Sequence, residues 1–346
     1  MSKFNRNDAF SINIADHDCD EKDSIKCIIK IKKGLFVFSG KTISEILPAE
    51  KIDPNNQEPD TRHAYQKVYS IGAENSFVAR TIIQAKEILD SLILRAELDR
   101  QIILDHVWDC STLLFMCENS YYSIYSETMK LMHECDSIVE KGKSGIYISS
   151  LPQVNELHQR VFVFFGNAKR FLEKSHELLC IFYGAPKSGS KFKKYRDWMV
   201  SNKPSKIEVR DLLEQDKDWI KLIASCRNAL DINHSKPQFK VEIENFKMHA
   251  GNKFSNPRWK YDFSADNGEV QNNYSDVIKD MDVHLTNMLT FFEELFVLCV
   301  RDNWDPRMNF EIFKRNEEIV DKKCPTLYFV SLKTETSKLD LPSGNI

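Results

Sequence analysis

The chain has 346 residues, 42% hydrophobic and 29% charged, and its 48 basic against 51 acidic residues leave a formal charge of −3. That composition describes an ordinary globular protein with core material for two domains or one decorated domain, and it excludes attraction to nucleic acid through net charge alone. Nine scattered cysteines without a CxxC pair or Cys/His cluster read as reduced, mostly buried thiols of a cytoplasmic protein, so no disulfide framework, metal or cofactor is expected.

Residues 1–16 lack the apolar segment of a signal peptide, and there is no uninterrupted run of about 18 apolar residues, so no membrane association is expected. Residues 24–38 (SIKCIIKIKKGLFVF) are rich in β-branched and aromatic residues around Lys33-Gly34 and predict a hairpin. A polar Pro/Asn loop follows at 53–60. From 73 to 141 there is neither Gly nor Pro, which predicts two long helices with a break near 105–111 or 118–120. Ile82, Leu89, Leu92, Ile93, Ala96, Ile103 and Val107 supply the apolar stripe of the first.

A third helix is predicted from Pro152 to Tyr183, with Gly184 as its stop. Residues 185–206 then form the most basic segment of the chain, in which Lys191, Lys193, Lys194 and Arg196 are candidate RNA contacts and Phe192, Tyr195 and Trp198 candidate stacking residues. The same segment also reads as a solvated loop with a short amphipathic turn. Next come a helix over 206–230, an alternating strand pattern at Phe239, Val241 and Ile243, and a last helix over 275–304 with a near-heptad stripe. Residues 327–332 predict a strand added to the N-terminal hairpin. The expected fold class is therefore mainly α, a bundle of long antiparallel helices with a small β-containing cap from the two ends of the chain. Its expected divisions are a β-containing region at 1–70, the bundle at 71–310 and a tail at 311–346.

The chemistry-bearing stretch is 222–234 (LIASCRNALDINH). Arg227 and His234 are seven residues apart, about 700° of helical rotation, so they share a helix face within about 20°, though about 10 Å apart along the axis. Asp231, Asn233, Ser235 and Pro237 favour a helix end there, which would bring His234 within reach of substrate. One guanidinium, one amide from Asn228 and one titratable imidazole suffice to cleave RNA without a metal. The RNA supplies its own 2′-hydroxyl nucleophile, His234 moves the protons, and Arg227 offers forked donors to the phosphate.

At Arg227-Asn228 to His234 the chain resembles the HEPN superfamily of helical ribonucleases, whose motif is an Arg followed by a polar residue and then a His after a gap of four to six. The resemblance covers about 151–304. It implies a homodimer that sets two motifs across one cleft, and the role of a bacterial toxin or antiviral effector, with an antitoxin or other protein partner. Spacing alone does not single out this motif, because Arg100 to His106 and Arg170 to His176 share it; both look mid-helical, and neither Arg has Asn beside it. The competing expectation is a non-catalytic helical bundle that dimerises or binds RNA or protein. Poorer candidates are Glu293-Glu294 with His284, which lack a repeated Glu-x-x-His, and His133-Glu134, which lacks the second His of a zinc protease.

Overall fold

The computed structural model describes residues 24–58, 60–143, 150–231, 239–250, 253–263, 274–305, 307 and 309–332. Of these, 54% are helical and 20% lie in strands that form four small sheets. The mainly α bundle expected from the sequence is thereby corrected to a mixed α/β fold. The chain divides into two compact units, Met1–Ser111 with Phe296–Ile346 and Thr112–Leu295.

In the first unit, β1 (Ile25–Ile31) and β2 (Gly34–Ser39) make the expected hairpin, extended by β3 (Ile43–Leu47) and β4 (Ala64–Tyr69) into a four-stranded antiparallel meander. A short helix, α1 (Ala49–Ile52), interrupts the connection from β3 to β4. Alternation sets the buried face: Ile29, Ile31, Phe38 and Ile43 are sealed on it, and Val37 is buried on the opposite face. Trp108 packs there with its ring centroid 5.0 Å from Phe36, 6.1 Å from Phe38 and 5.9 Å from Tyr69. After β4 the chain must pass close to the β2–β3 turn. At Gly72 a Cβ would stand 2.3 Å from the Ser39 carbonyl oxygen and 2.4 Å from the Thr42 nitrogen, so only glycine fits.

Asn75 caps α2 (Ser76–Val78) by accepting the Phe77 and Val78 amides, and a π-helical turn (Ala79–Ile83) leads into α3 (Gln84–Ser91). The first long helix expected from 73 onward thus ends at Ser91. Leu92 is extended, and the chain there pairs with the segment after the last helix through the Arg95 amide to the Asn303 carbonyl at 3.1 Å and the Asp305 amide to the Ile93 carbonyl at 2.8 Å. Helix-forming residues give up their own ladder for this pairing, a tertiary override of propensity. β10 (Phe310–Lys314) pairs with β11 (Tyr328–Leu332) and not, as expected for 327–332, with the N-terminal hairpin. The buried Gln84 side chain accepts both the Leu327 amide at 2.6 Å and the Tyr328 amide at 2.7 Å, anchoring β11 to α3.

α4 (Arg100–Lys143) runs 44 residues without the break expected near 105–111 or 118–120, and its residues from Thr112 belong to the second unit. There follow α5 (Leu157–His176) and α6 (Leu178–Tyr183), which ends at Gly184 with φ 75°, as the sequence suggested. The basic segment folds largely as α7 (Phe192–Asn202), and the helix expected over 206–230 is two, α8 (Ile207–Gln215) and α9 (Lys217–Leu230). β5 (Phe239–Glu244), β8 (Arg258–Phe263) and β9 (Tyr274–Asp276) form an antiparallel sheet, with β6 (Lys247–His249) and β7 (Lys253–Ser255) as a separate hairpin. α10 (Val277–Arg301) starts under an Asp276 cap, whose Oδ1 accepts the Ile278 and Lys279 amides. α10 is long and apolar enough to cross a membrane by length and composition, but 67% of its most apolar window is buried inside the protein. Val277, Met281, Leu285, Met288 and Phe292, its near-heptad stripe, are sealed in the core.

Candidate functional site

α9 is amphipathic: Ile220, Ile223, Cys226 and Leu230 are buried, so the next positions, Arg227 and Asn228, sit at the edge of the buried face, half-buried. α5 packs along α9 and presents Phe162 and Lys169, two turns apart on one face. The Arg227 guanidinium lies 5.8 Å from the centroid of the Phe162 ring, and its Nη1 pairs with Asp231 Oδ2 at 2.8 Å. Lys169 Nζ donates to Asn228 Oδ1 over a long 3.4 Å. One helix edge therefore gathers two cations, a carboxamide, an aromatic face and a single carboxylate.

The helix ends where the sequence suggested. Leu230 is its last residue, and Asp231 has turned to an extended ψ of 112°. His234 lies outside the described residues, so no distance joins it to Arg227. Sequence reasoning missed Lys169 and Phe162 because they belong to another helix. Their only sequence signal is a spacing of seven, which any helix face provides.

Of the two rival motifs, burial removes the one that ends at His176. Arg170 is exposed, but His176 is 2% exposed, held by a 2.8 Å hydrogen bond between Nδ1 and the Leu172 carbonyl. Burial pulls its pKa down to about 4, so it is a neutral core residue, not the exposed or boundary histidine expected there. Arg100 opens α4 instead of lying mid-helix, and its guanidinium donates to the Leu92 carbonyl at the end of the preceding segment.

Among the expected RNA contacts, Lys191, Lys193 and Lys194 are exposed at the start of α7, whereas Arg196 is half-buried and pairs with Glu214 Oε2 at 2.9 Å. The aromatics of this segment mostly turn inward. Tyr195 is 1% exposed, with its hydroxyl accepting the Ser188 amide at 2.9 Å, and Phe192 packs on the His176 ring at 4.8 Å. Tyr195 therefore builds core and has no free face for a base. Trp198 remains half-buried. The segment is an amphipathic helix that keeps an exposed row of lysines.

A buried polar group lies behind α9. Trp259 Nε1 donates to Ser275 Oγ at 2.9 Å and to Asp280 Oδ2 at 2.5 Å, and burial drives the nearby Tyr261 hydroxyl well above its usual range. His284 packs between Phe165 and Trp259, and both its ring nitrogens are buried without a hydrogen-bond partner among the described residues. Desolvation lowers its pKa to about 4, against a smaller opposing pull from Asp280. Among the described residues, no three His, Cys, Asp or Glu side chains converge to hold a metal ion. Comparison with protein-family profiles, with curated proteins and with solved structures finds no match to this chain.

Proposed function

We propose that the chain is a metal-independent endoribonuclease of the HEPN type, acting in the cytoplasm as a bacterial toxin or antiviral effector. The observation that supports this reading is the end of α9 at Leu230, which leaves Arg227 half-exposed in the last turn, Asn228 beside it, and the chain leaving the helix three residues before His234. In this mechanism the RNA 2′-hydroxyl attacks the adjacent phosphorus while His234 takes its proton. Arg227 bonds two phosphate oxygens as negative charge builds on them, and the 5′-oxygen leaves with a proton. The products are a 2′,3′-cyclic phosphate and a 5′-hydroxyl.

One imidazole cannot readily serve as base and acid in the same turnover, so the reading includes a homodimer with two motifs at one cleft, and an antitoxin or other protein as its restraint. The exposed Lys191, Lys193 and Lys194 are the proposed phosphate contacts beyond the reacting centre. A second reading, a non-catalytic protein that binds RNA or protein, draws support from the bonds Arg227 and Asn228 already make to Asp231 and Lys169.

Cleavage of single-stranded RNA in EDTA by the wild type, His234→Ala and Arg227→Ala separates the two. The ribonuclease reading expects cyclic-phosphate products from the wild type and loss of cleavage in both variants. Equal activity in all three, or none in the wild type, leaves the binding reading.

A further inference from the structure

Building on the reading that RNA is the substrate, we propose that α5 supplies the second half of a phosphate site on the α9 edge: Lys169 is a phosphate-contacting cation in its own right and fixes the amide of Asn228. Lys169 is half-buried, and it pairs with no carboxylate among the described residues, Glu173 one turn along included. The acceptor its ammonium meets is the Asn228 carboxamide oxygen, at a long 3.4 Å. A cation taken partly out of water beside a neutral acceptor keeps an uncompensated charge, and a phosphate, which single-stranded RNA presents at every linkage, supplies the missing anion.

The same contact decides which way the Asn228 amide faces. An ammonium has only hydrogens to give, so it takes the carboxamide oxygen and leaves both Nδ2 hydrogens for another acceptor. Among the described residues Nδ2 has none. Beside it, Arg227 has Nη1 on Asp231 and the rest of its fork without a hydrogen bond among the described residues. The edge therefore offers two cations and a pair of amide hydrogens against one carboxylate. Gly166 forms the floor between them. It follows Phe162 by four residues and precedes Lys169 by three, which places all three within about 60° on one face of α5. A Cβ at Gly166 would meet no atom within 4 Å, and its φ is not positive, so neither packing nor backbone geometry asks for glycine there. Glycine in a helix interior is destabilising relative to alanine, and its effect here is to keep open the space between Phe162 and Lys169, where a phosphate can approach both cations.

Fluorescence anisotropy of the full chain with a short single-stranded 2′-O-methyl oligoribonucleotide, which has no 2′-hydroxyl to attack, measures binding without cleavage. Lys169→Gln is expected to weaken binding about tenfold, the loss of one charge-assisted contact, and to lower the slope of log affinity against log salt by about 0.7. Lys169→Arg keeps the charge and is expected to restore most of both. Gly166→Leu is expected to raise the thermal midpoint, because leucine favours the helix, and yet to weaken binding, because its side chain fills the open space. No binding by the wild type at about 0.1 mM oligonucleotide, an unchanged affinity and slope in Lys169→Gln, a Lys169→Arg protein no better than Lys169→Gln, or wild-type affinity in Gly166→Leu overturns the proposal. Cleavage of the 2′-hydroxyl form in EDTA is read separately. Lys169-dependent binding without cleavage keeps the phosphate site and removes the ribonuclease reading; cleavage by the wild type with undiminished binding in Lys169→Gln does the reverse.

Discussion

Asp231 holds Arg227 from one turn further along the chain, at 2.8 Å, and so occupies part of the guanidinium fork that a phosphate would use. The two side chains are 31% and 20% exposed, and a partly solvated i,i+4 pair of this kind contributes about 0.3–0.5 kcal/mol. Asp231→Asn is therefore expected to leave the thermal midpoint nearly unchanged while tightening RNA binding severalfold, because Arg227 exchanges its carboxylate for phosphate oxygens. A filter-binding titration of wild type and variant measures this. An RNA affinity that does not move removes Asp231 as a competitor for the fork.

The lysine row of α7 makes a prediction about salt. Each phosphate contact on single-stranded RNA contributes about 0.7 to the slope of log affinity against log salt. Replacing Lys191, Lys193 and Lys194 with Gln should flatten that slope by about two, with no change in stability, since all three side chains are exposed. An unaltered slope makes α7 an ordinary solvated helix.

Acid should unfold the second unit through its buried imidazoles. His176 and His284 are each pulled from 6.5 to about 4 by burial. Above pH 6.5 both the folded and the unfolded chain carry these groups neutral, and stability is undiminished. Between pH 6.5 and about 4 the unfolded chain takes up protons that the folded one refuses, so stability falls, by up to about 3 kcal/mol per histidine. Denaturant titrations from pH 7.5 to 4.5 should show this decline, shallower in His284→Leu. An identical pH dependence in that variant would mean His284 finds a partner in solution.

Gly72→Ala should be among the most damaging single changes in the first unit. The new methyl carbon would meet backbone at 2.3 and 2.4 Å, and backbone cannot rotate aside as a side chain can. A loss of about 2–4 kcal/mol is expected by chemical denaturation, typical of severe overpacking. A change below about 0.5 kcal/mol would show that the β2–β3 turn yields easily.

The legible parts of the fold were those in which periodicity and burial agree. Ile29 and Ile31 alternate inward along β1, and the turn before Gly34 falls where the residue types placed it. The break after Ser91 was not legible, because Leu92 to Leu98 are good helix formers and the competing partners, Asn303 and Asp305, lie some two hundred residues away. In the sheet of β5, β8 and β9, the alternation of Phe239, Val241 and Ile243 announced β5, whereas β8 was hidden. Trp259 and Tyr261 alternate, but charged and amide residues on either side mask the pattern. At the candidate site, the helix end near Asp231 could be read from poor helix formers. The Lys169 to Asn228 contact could not, since it depends on how α5 lies against α9.

The Gln84 carboxamide dictates an order of assembly. Its oxygen accepts the amides of Leu327 and Tyr328, 243 and 244 residues further on. On the ribosome, that oxygen lacks these two donors until Tyr328 has emerged, while the unit at Thr112–Leu295 is contiguous and has been synthesised before them. The nascent protein therefore completes its middle before its beginning. Its β-rich first unit, last to close, is the part most exposed to chaperones and proteases during synthesis.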